Sequence, residues 1–198
     1  EGHMVYGGSK KSAAKYFDVH NQVHNQFYEL KKNETVVSIG AEDCVNEIIY
    51  GLLTDSVNFI LENISSRYLN QSQLDFAITY HEKLFNKKNS STYKIQIGNE
   101  SGTLLPSSIA DKVIIENSFH EFSEPQKMLE DIYRILKPGG KLYLFELLST
   151  PKNPIHQGCR KHLYSKDDLI EVMKKNKFHL ENMLKKTETL GLFKFVRE

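Results

Sequence analysis

Three side chains that bind soft metal ions stand three residues apart near the end of the chain. His156, Cys159 and His162 form the pattern H-x-x-C-x-x-H. Imidazole and thiolate are ligands that zinc prefers, and a helix or turn with this spacing can present all three together. A closed zinc site needs a fourth ligand, and no obvious one accompanies the pattern. We therefore predict a polar loop on the substrate side here, without a metal.

A second pair of histidines lies near the beginning of the chain. His20 and His24 are four residues apart, which places both imidazoles on one face of a helix. Two ligands do not complete a metal site. The pair therefore predicts a solvated or packed helix face.

A polar segment follows an apolar run in the middle of the chain. Glu116, Asn117, Phe119 and His120 come directly after a predicted strand, and Glu121 is interpreted as an acid at a helix N-terminus. Open α/β sheets bind ligands at the carboxyl ends of their strands. Because histidine titrates near neutral pH, His120 is a candidate general base. The alternative is that His120 and Phe119 only pack against the following helix and line a pocket.

Composition narrows the classes of protein that these residues can serve. The chain has 198 residues, 39% of them hydrophobic, and its 26 basic and 25 acidic residues give a net charge of 26 − 25 = +1. This balance predicts one globular domain and no nucleic-acid partner, because phosphate binding needs a basic surface. Cys44 and Cys159 are too few for a disulfide framework, which favours the cytoplasm. No apolar run is long enough to span a membrane, and no signal peptide is visible.

Apolar patterning predicts alternating strands and helices. An N-terminal helical region over residues 12–31 comes first, and residues 1–3 are interpreted as a cloning scar. Strands are predicted at 35–40, 57–61, 93–97, 112–115, 141–148, 178–184 and 190–196. Helices are predicted at 44–53 and 66–85, and from Pro125 to a Lys-Pro-Gly-Gly stop at 137–140. A further helix is predicted from Lys166 onward, with Ser165 as its N-cap before two acids.

This alternation predicts an α/β fold. We expect a doubly wound, Rossmann-like, mostly parallel sheet with helices on both faces and an antiparallel C-terminal edge hairpin. The expected organisation is a helical region at 4–31, followed by a single α/β domain at 32–198.

One segment resembles a known family. Residues 111–146 run from an acid-x-Val strand through a loop histidine and a helix to Arg134-Ile135-Leu136-Lys137-Pro138-Gly139-Gly140 and a further strand. This segment resembles the class I S-adenosylmethionine-dependent methyltransferases of the type 11 group. The similarity extends in order and spacing over about residues 30–198.

The resemblance implies S-adenosylmethionine as cofactor and His120 as the catalytic candidate, and the near-neutral net charge favours a small molecule over a nucleic acid as methyl acceptor. Glu62 follows Gly40 by 22 residues, close to the spacing of about 20 between the glycine turn and the ribose-binding acid of nucleotide folds. A strict match instead puts Asn63 at that acid. The implied cofactor contacts are Gly40, Ala41, Glu42, Glu62, Asn63, Gly98, Asn99, Glu100, Glu116, Asn117 and Phe119. The implied substrate-side residues are His156, Arg160, His162 and Tyr164.

The first cofactor motif departs from the family's acid-x-Gly-x-Gly-x-Gly. Ser38 stands at the acid, only Gly40 keeps its glycine, and Glu42 and Cys44 stand at the other two glycines. Two hypotheses therefore remain. The first is a methyltransferase with a divergent cofactor loop. The second is a methyltransferase fold that no longer binds S-adenosylmethionine and serves as a ligand- or partner-binding module.

Overall fold

A seven-stranded sheet organises the molecule in the computed structural model, which describes residues 21–198. The strand order is β3-β2-β1-β4-β5-β7-β6. The strands are β1 Thr35–Ile39, β2 Asn58–Asn63, β3 Thr92–Ile97, β4 Ala110–Glu116, β5 Leu136–Leu147, β6 Phe178–Lys185 and β7 Leu190–Arg197. The helices are α1 Gln22–Tyr28, α2 Val45–Leu53, α3 Gln71–Phe85, α4 Pro125–Ile135 and α5 Lys166–Lys175, with a 3₁₀ turn at Phe119–Glu121.

The strand directions confirm the predicted fold. β1 pairs in parallel with β2 and β4, and the parallel order extends to β3 on one side and β5 on the other. β7 is antiparallel to both β5 and β6, which forms the predicted edge hairpin. The carboxyl ends of β1, β2 and β4 therefore meet at one edge of the sheet.

Helices cover both faces of the sheet, as predicted. Leu129 of α4 and Leu169 of α5 belong to one buried cluster, whereas Tyr28 of α1 and Ile48 of α2 belong to another. Adjacent β1 residues alternate between the two clusters, since Val36 packs into the second and Val37 into the first. A strand with both faces buried has no solvated side, which explains why the sequence of β1, TVVSI, does not alternate between apolar and charged residues.

Helix boundaries follow the local capping signals, with two corrections to the sequence prediction. Helix α3 begins at Gln71 and not near residue 66, because the Asn70 side chain caps it by accepting a hydrogen bond from the amide of Gln73 at 3.1 Å. Helix α4 ends at Ile135, so the Lys-Pro-Gly-Gly stretch lies inside β5 and follows the helix end at a short distance. Ser165 caps α5, as its position before two acids predicts.

The N-terminal predictions fall partly outside the described residues. Residues 4–20, including His20, lie there, so that part of the helical region and the histidine pair stay predictions. In the described remainder, α1 ends at Tyr28 and not at residue 31, because Glu29 adopts a left-handed conformation with φ 51°. His24 is 4% exposed and packs inside the protein. None of the described helices has the length and apolarity to cross a membrane.

Candidate functional site

A cleft opens at the carboxyl ends of β1, β2 and β4. It consists of two adjoining basins of about 300 and 180 Å³. Both basins share Ile39, Gly40, Glu42, Ser118 and Glu121. The first basin adds Ser38, Ala41, Asp43, Asn46, Glu47, Glu116 and Asn117, and the second adds Glu62, Asn63, Ile64, Tyr68, Glu100, Phe122, Ser123 and Met128.

The turn after β1 forms the shared floor of the two basins. Gly40 has φ +80°, and a Cβ at this position would lie 2.5 Å from Oγ of Ser118. Glycine is therefore required here both by backbone conformation and by space. At the N-cap of α2, Cys44 also adopts a left-handed conformation with φ 60°. The backbone thus keeps, at the third glycine position of the motif, a conformation that glycine favours.

Glu116 is the most heavily hydrogen-bonded acid of the first basin. The hydroxyl groups of Tyr28 and Tyr50 donate hydrogen bonds to its Oε1 at 2.5 and 2.6 Å. The side-chain amide of Asn46 donates to Oε2 at 2.6 Å. Nδ1 of His24 lies 3.3 Å from Oε1. Burial alone would raise the pKa of Glu116, but the contacts with His24 and the two tyrosines lower it below its ordinary value. The carboxylate is therefore held ionised.

Glu47 has the opposite character. It is 7% exposed, and its Oε1 accepts a hydrogen bond from the Ser38 hydroxyl at 2.5 Å. Burial, with the nearby charge of Glu116 adding to it, raises the pKa of Glu47 to about 7. Glu47 and Glu116 line the same basin, but their pKa values are therefore shifted in opposite directions.

The second basin is closed from below by Glu62. This residue is 1% exposed, its Oε1 has no hydrogen-bond partner among the described residues, and burial raises its pKa to about 7. A Cβ on Gly98 would lie 2.2 Å from that oxygen, so glycine leaves the room that the carboxyl group occupies. Asn63, by contrast, donates to the carbonyl of Ala41 at 2.9 Å and accepts from the amide of Ser65 at 3.0 Å. Of the two candidates for the ribose-binding position, Glu62 therefore keeps an acceptor, Oε1, that no described residue uses, whereas both polar atoms of Asn63 are engaged.

His120 lies on the 3₁₀ turn that follows β4, and it does not line either basin. Its Nδ1 lies 2.6 Å from Oε1 of Glu146, and the backbone amide of Phe119 donates to the other oxygen of that carboxylate at 3.0 Å. Burial would lower the pKa of His120, but the hydrogen bond and charge of Glu146 raise it above its ordinary value. Since a carboxylate can only accept, the neutral ring carries its proton on Nδ1, and Nε2 is left without a partner among the described residues.

Charge in the cleft is strongly one-sided. Seven carboxylates line the two basins, whereas no Lys, Arg or His does so among the residues that the structure describes. They are Glu42, Asp43, Glu47, Glu62, Glu100, Glu116 and Glu121. Burial, and then the charges of Glu121 and Asp43, raise the pKa of Glu42. Such a cleft favours a cationic ligand.

Most of the sequence-predicted cofactor residues line this cleft. Gly40, Ala41, Glu42, Glu62, Asn63, Glu100, Glu116 and Asn117 do so. Gly98 lies directly against Glu62, and Asn99 is hydrogen-bonded to Gly102 across a short turn. Phe119 is fully buried, and its ring packs on those of Phe122 and Tyr164.

The predicted substrate-side residues do not line either basin. Arg160 and His162 are exposed, and His162 forms an isolated backbone bridge with Ile155. Tyr164 packs on Phe119, and His156 turns toward the ring of His120, with 4.8 Å between the ring centroids. The structure therefore brings His156 to His120, whereas the sequence pattern grouped it with His162.

Several residues of the site were missed by the sequence prediction. Tyr28 and Tyr50 reach Glu116 from positions 88 and 66 residues away in the chain. Glu47 is one acid of an amphipathic helix, and no local pattern distinguishes it from a solvated one. Only Ser118 had a usable signal, since it lies between two predicted site residues, Asn117 and Phe119.

Comparison with known proteins places the fold. Residues 69–144 match the family model described as a methyltransferase domain. No curated protein sequence matches the chain significantly. Among solved structures, a SAM-dependent methyltransferase from Aquifex aeolicus superposes with a TM-score of 0.71 at 14% identity, over 93% of each chain.

Two further structures share the architecture. A SAM-dependent methyltransferase from Methanosarcina mazei superposes with a TM-score of 0.70 at 15% identity, and the superposition covers 91% of this chain and 98% of that protein's chain. The [4+2]-cyclase SpnF gives 0.64 at 16% identity, covering 90% of this chain and 64% of its own. At these identities the likeness establishes the fold, which is the one that the sequence resemblance implied.

Proposed function

Because the chain has the fold of the class I S-adenosylmethionine-dependent methyltransferases and its central segment matches a methyltransferase domain, we propose that it transfers a methyl group from S-adenosylmethionine to a small molecule. The observation that carries the proposal is the acid-lined cleft at the carboxyl ends of β1, β2 and β4, built around Gly40. Open α/β sheets hold their ligands at this place.

The residues of the cleft fit this cofactor by charge. S-adenosylmethionine carries an ammonium group, a sulfonium group and one carboxylate, so it is a net cation. Glu47 and the ionised Glu116 in the first basin are suited to the positive groups, while the backbone of Gly40 and Ala41 leaves room for close approach. The bound cofactor would supply an activated methyl group for in-line displacement, and the protein would supply position and charge.

In the second basin, Glu62 is the residue that we propose for the ribose hydroxyls. Its unused, buried Oε1 is an acceptor without a donor, and such groups are costly unless a ligand or water satisfies them. Asn63 is already committed to the loop backbone on both of its polar atoms. The exposed Ile64 and Tyr68 border the same basin and offer apolar surface to a base.

His120 is the candidate proton acceptor. Glu146 fixes the ring and raises its pKa, and Nε2, which has no hydrogen-bond partner among the described residues, is the nitrogen that would take a proton from a methyl acceptor. A small acceptor agrees with the acidic cleft, because a nucleic acid would bring its own negative charge there.

A second function has a specific observation in its favour. Glu42 and Cys44 stand at two positions where the family has glycine, and a fold shared with a [4+2]-cyclase does not by itself specify methyl transfer. The alternative is a binding module that has lost S-adenosylmethionine.

Calorimetric titration with S-adenosylmethionine and S-adenosylhomocysteine distinguishes the two functions. We expect saturable binding of both. S-adenosylmethionine should lose more affinity than S-adenosylhomocysteine when salt is raised, because its sulfonium is charged whereas the corresponding thioether of S-adenosylhomocysteine is neutral. Glu62→Gln should weaken binding about tenfold or more, whereas the exposed Glu171→Gln on α5 should leave it unchanged. A folded protein that shows no heat with either compound would exclude the methyltransferase and favour the binding module.

A further inference from the structure

Four metal-binding side chains converge beside the cleft, from two segments that are distant in sequence. His120 and Glu121 come from the 3₁₀ turn after β4, and His156 and Cys159 come from the long loop between β5 and α5. One potential ligand atom from each lies within 4.8 Å of every other. Among the residues that the structure describes, these four side chains form a group of different ligand types close enough together to hold one metal ion.

His120 is already oriented as a metal ligand. Its side chain is fully buried, and the carboxylate of Glu146 holds Nδ1 at 2.6 Å. A carboxylate behind a histidine is a common second partner in metal sites, because it fixes the ring and makes the opposite nitrogen more basic. That opposite nitrogen, Nε2, has no hydrogen-bond partner among the described residues and lies 3.7 Å from Oε1 of Glu121. The buried lone pair of Nε2 thus lies beside Glu121, and no group among the described residues satisfies it with a hydrogen bond.

The loop supplies the other half of the site. Nδ1 of His156 lies 3.0 Å from Sγ of Cys159, and the imidazole of His156 meets that of His120 edge to face. The loop is held in this shape by its own backbone, since the amide of Arg160 donates to the carbonyl of His156 at 3.0 Å. Both side chains are half-buried, so solvent and ions can reach them.

The chemistry of the four ligands points to zinc. Two imidazoles, one thiolate and one carboxylate match the mixed nitrogen, sulfur and oxygen donors that Zn²⁺ accepts, whereas Mg²⁺ and Ca²⁺ require oxygen. Zinc bond lengths of about 2.0 to 2.3 Å place tetrahedral ligands about 3.3 to 3.8 Å apart. The pairs at 3.0 and 3.7 Å need only small adjustments to reach this arrangement.

We propose that His120, Glu121, His156 and Cys159 form a binding site for a divalent metal of the zinc class. His162, the third member of the H-x-x-C-x-x-H pattern, is not a ligand. The metal would tie the loop at residues 148–165 to the turn after β4. Because Glu121 also lines both basins, the site lies at the rim of the cleft. A metal on Nε2 of His120 would replace the proton-acceptor role of that atom.

Metal titration of the intact, chelator-stripped protein tests this site without reference to cofactor binding or activity. With reduced thiols, we expect one equivalent of Co²⁺ to bind, with a thiolate-to-cobalt charge-transfer band and the visible bands of a tetrahedral centre, and one equivalent of Zn²⁺ to displace it. Cys159→Ser should abolish the charge-transfer band and weaken Zn²⁺ binding about tenfold or more.

Two exposed positions supply the matched variants. Because the Glu121 side chain is 48% exposed, Glu121→Gln should leave the fold undisturbed, and it should also weaken Zn²⁺ binding about tenfold or more because it removes a charged ligand. His162→Ala, in the same loop, should bind both metals as the unaltered protein does. The proposal is overturned if no stoichiometric uptake occurs, if Cys159→Ser keeps the charge-transfer band, or if His162→Ala loses metal as Cys159→Ser does.

Discussion

Cys44 shows how one residue can preserve a backbone after the sequence motif has changed. It has φ 60° at the N-cap of α2 and is 1% exposed. A non-glycine residue in this conformation costs about 1 to 2 kcal/mol, because its Cβ crowds the backbone. The buried thiol packs in the second core cluster, where burial raises its pKa. Packing of the thiol therefore offsets the cost of the left-handed conformation, a cost that a glycine at this position would not have.

A pair of substitutions at Cys44 separates the packing of the thiol from the conformational cost of the positive φ. Cys44→Gly and Cys44→Ala both remove the thiol, but only glycine also relieves the positive φ. We expect Cys44→Gly to be more stable than Cys44→Ala by about 1 kcal/mol in the free energy of unfolding from urea titration. An alanine variant as stable as the glycine variant would contradict the backbone strain that we infer at Cys44.

Helix α1 illustrates how an element is fixed by partners far away in the chain. It is only seven residues long, too short to be stable alone. Its Tyr28 is fully buried and donates a hydrogen bond to Glu116 at the end of β4. The same carboxylate also receives the hydroxyl of Tyr50 from α2, so one acid joins two helices to the sheet edge that forms the cleft.

Removing one hydroxyl should therefore loosen α1. Tyr28→Phe deletes a hydrogen bond to a buried, ionised carboxylate, and we expect a loss of about 1.5 to 3 kcal/mol in the free energy of unfolding. Amide exchange should accelerate at Gln22–Tyr28. As a matched control, Tyr133→Phe removes a hydroxyl that donates to the exposed backbone oxygen of Glu198, and its effect should stay within about 0.5 kcal/mol. Equal losses in the two variants would contradict the role of Glu116.

At the scale of the whole molecule, a net charge of +1 conceals an uneven distribution. Several lysines form ion pairs away from the cleft, such as Lys112 with Glu34 and Lys194 with Glu29. The cleft itself gathers carboxylates, and two of them, Glu47 and Glu62, have a pKa of about 7 because they are buried. The folded protein therefore holds protons there that the unfolded chain releases at lower pH.

This difference predicts the pH dependence of stability. Between the ordinary pKa of 4.5 and the folded value of about 7, the folded state binds more protons at Glu47 than the unfolded state does. The stabilising contribution of Glu47 is therefore complete below pH 4.5 and is lost as pH rises through 7.

Glu47→Gln removes this titration while keeping an acceptor for Ser38. The free energy of unfolding of the unaltered protein, relative to that of Glu47→Gln, should fall as pH is raised from about 5 to about 8 in urea titrations. A difference that stays constant or increases with pH would contradict the raised pKa.

The sequence by itself determined the fold, because its signals are local. Apolar runs predicted the strands, Ser165 predicted the start of α5, and the alternation of strands and helices predicted the order of elements. Gly40 and the strand-end acids could be placed at the cleft for the same reason, since the carboxyl ends of parallel strands share one edge.

Only the tertiary structure decided which side chains meet. Tyr28 and Tyr50 reach Glu116 from other elements, and Glu62 rather than Asn63 keeps a free oxygen because of how each strand residue faces its neighbours. The chain pattern grouped His156 and Cys159 with His162, three residues on. Folding of the loop turned them instead toward His120, 36 residues before His156. Sequence spacing fixes which face of an element a residue occupies, but contacts between elements depend on how those elements pack.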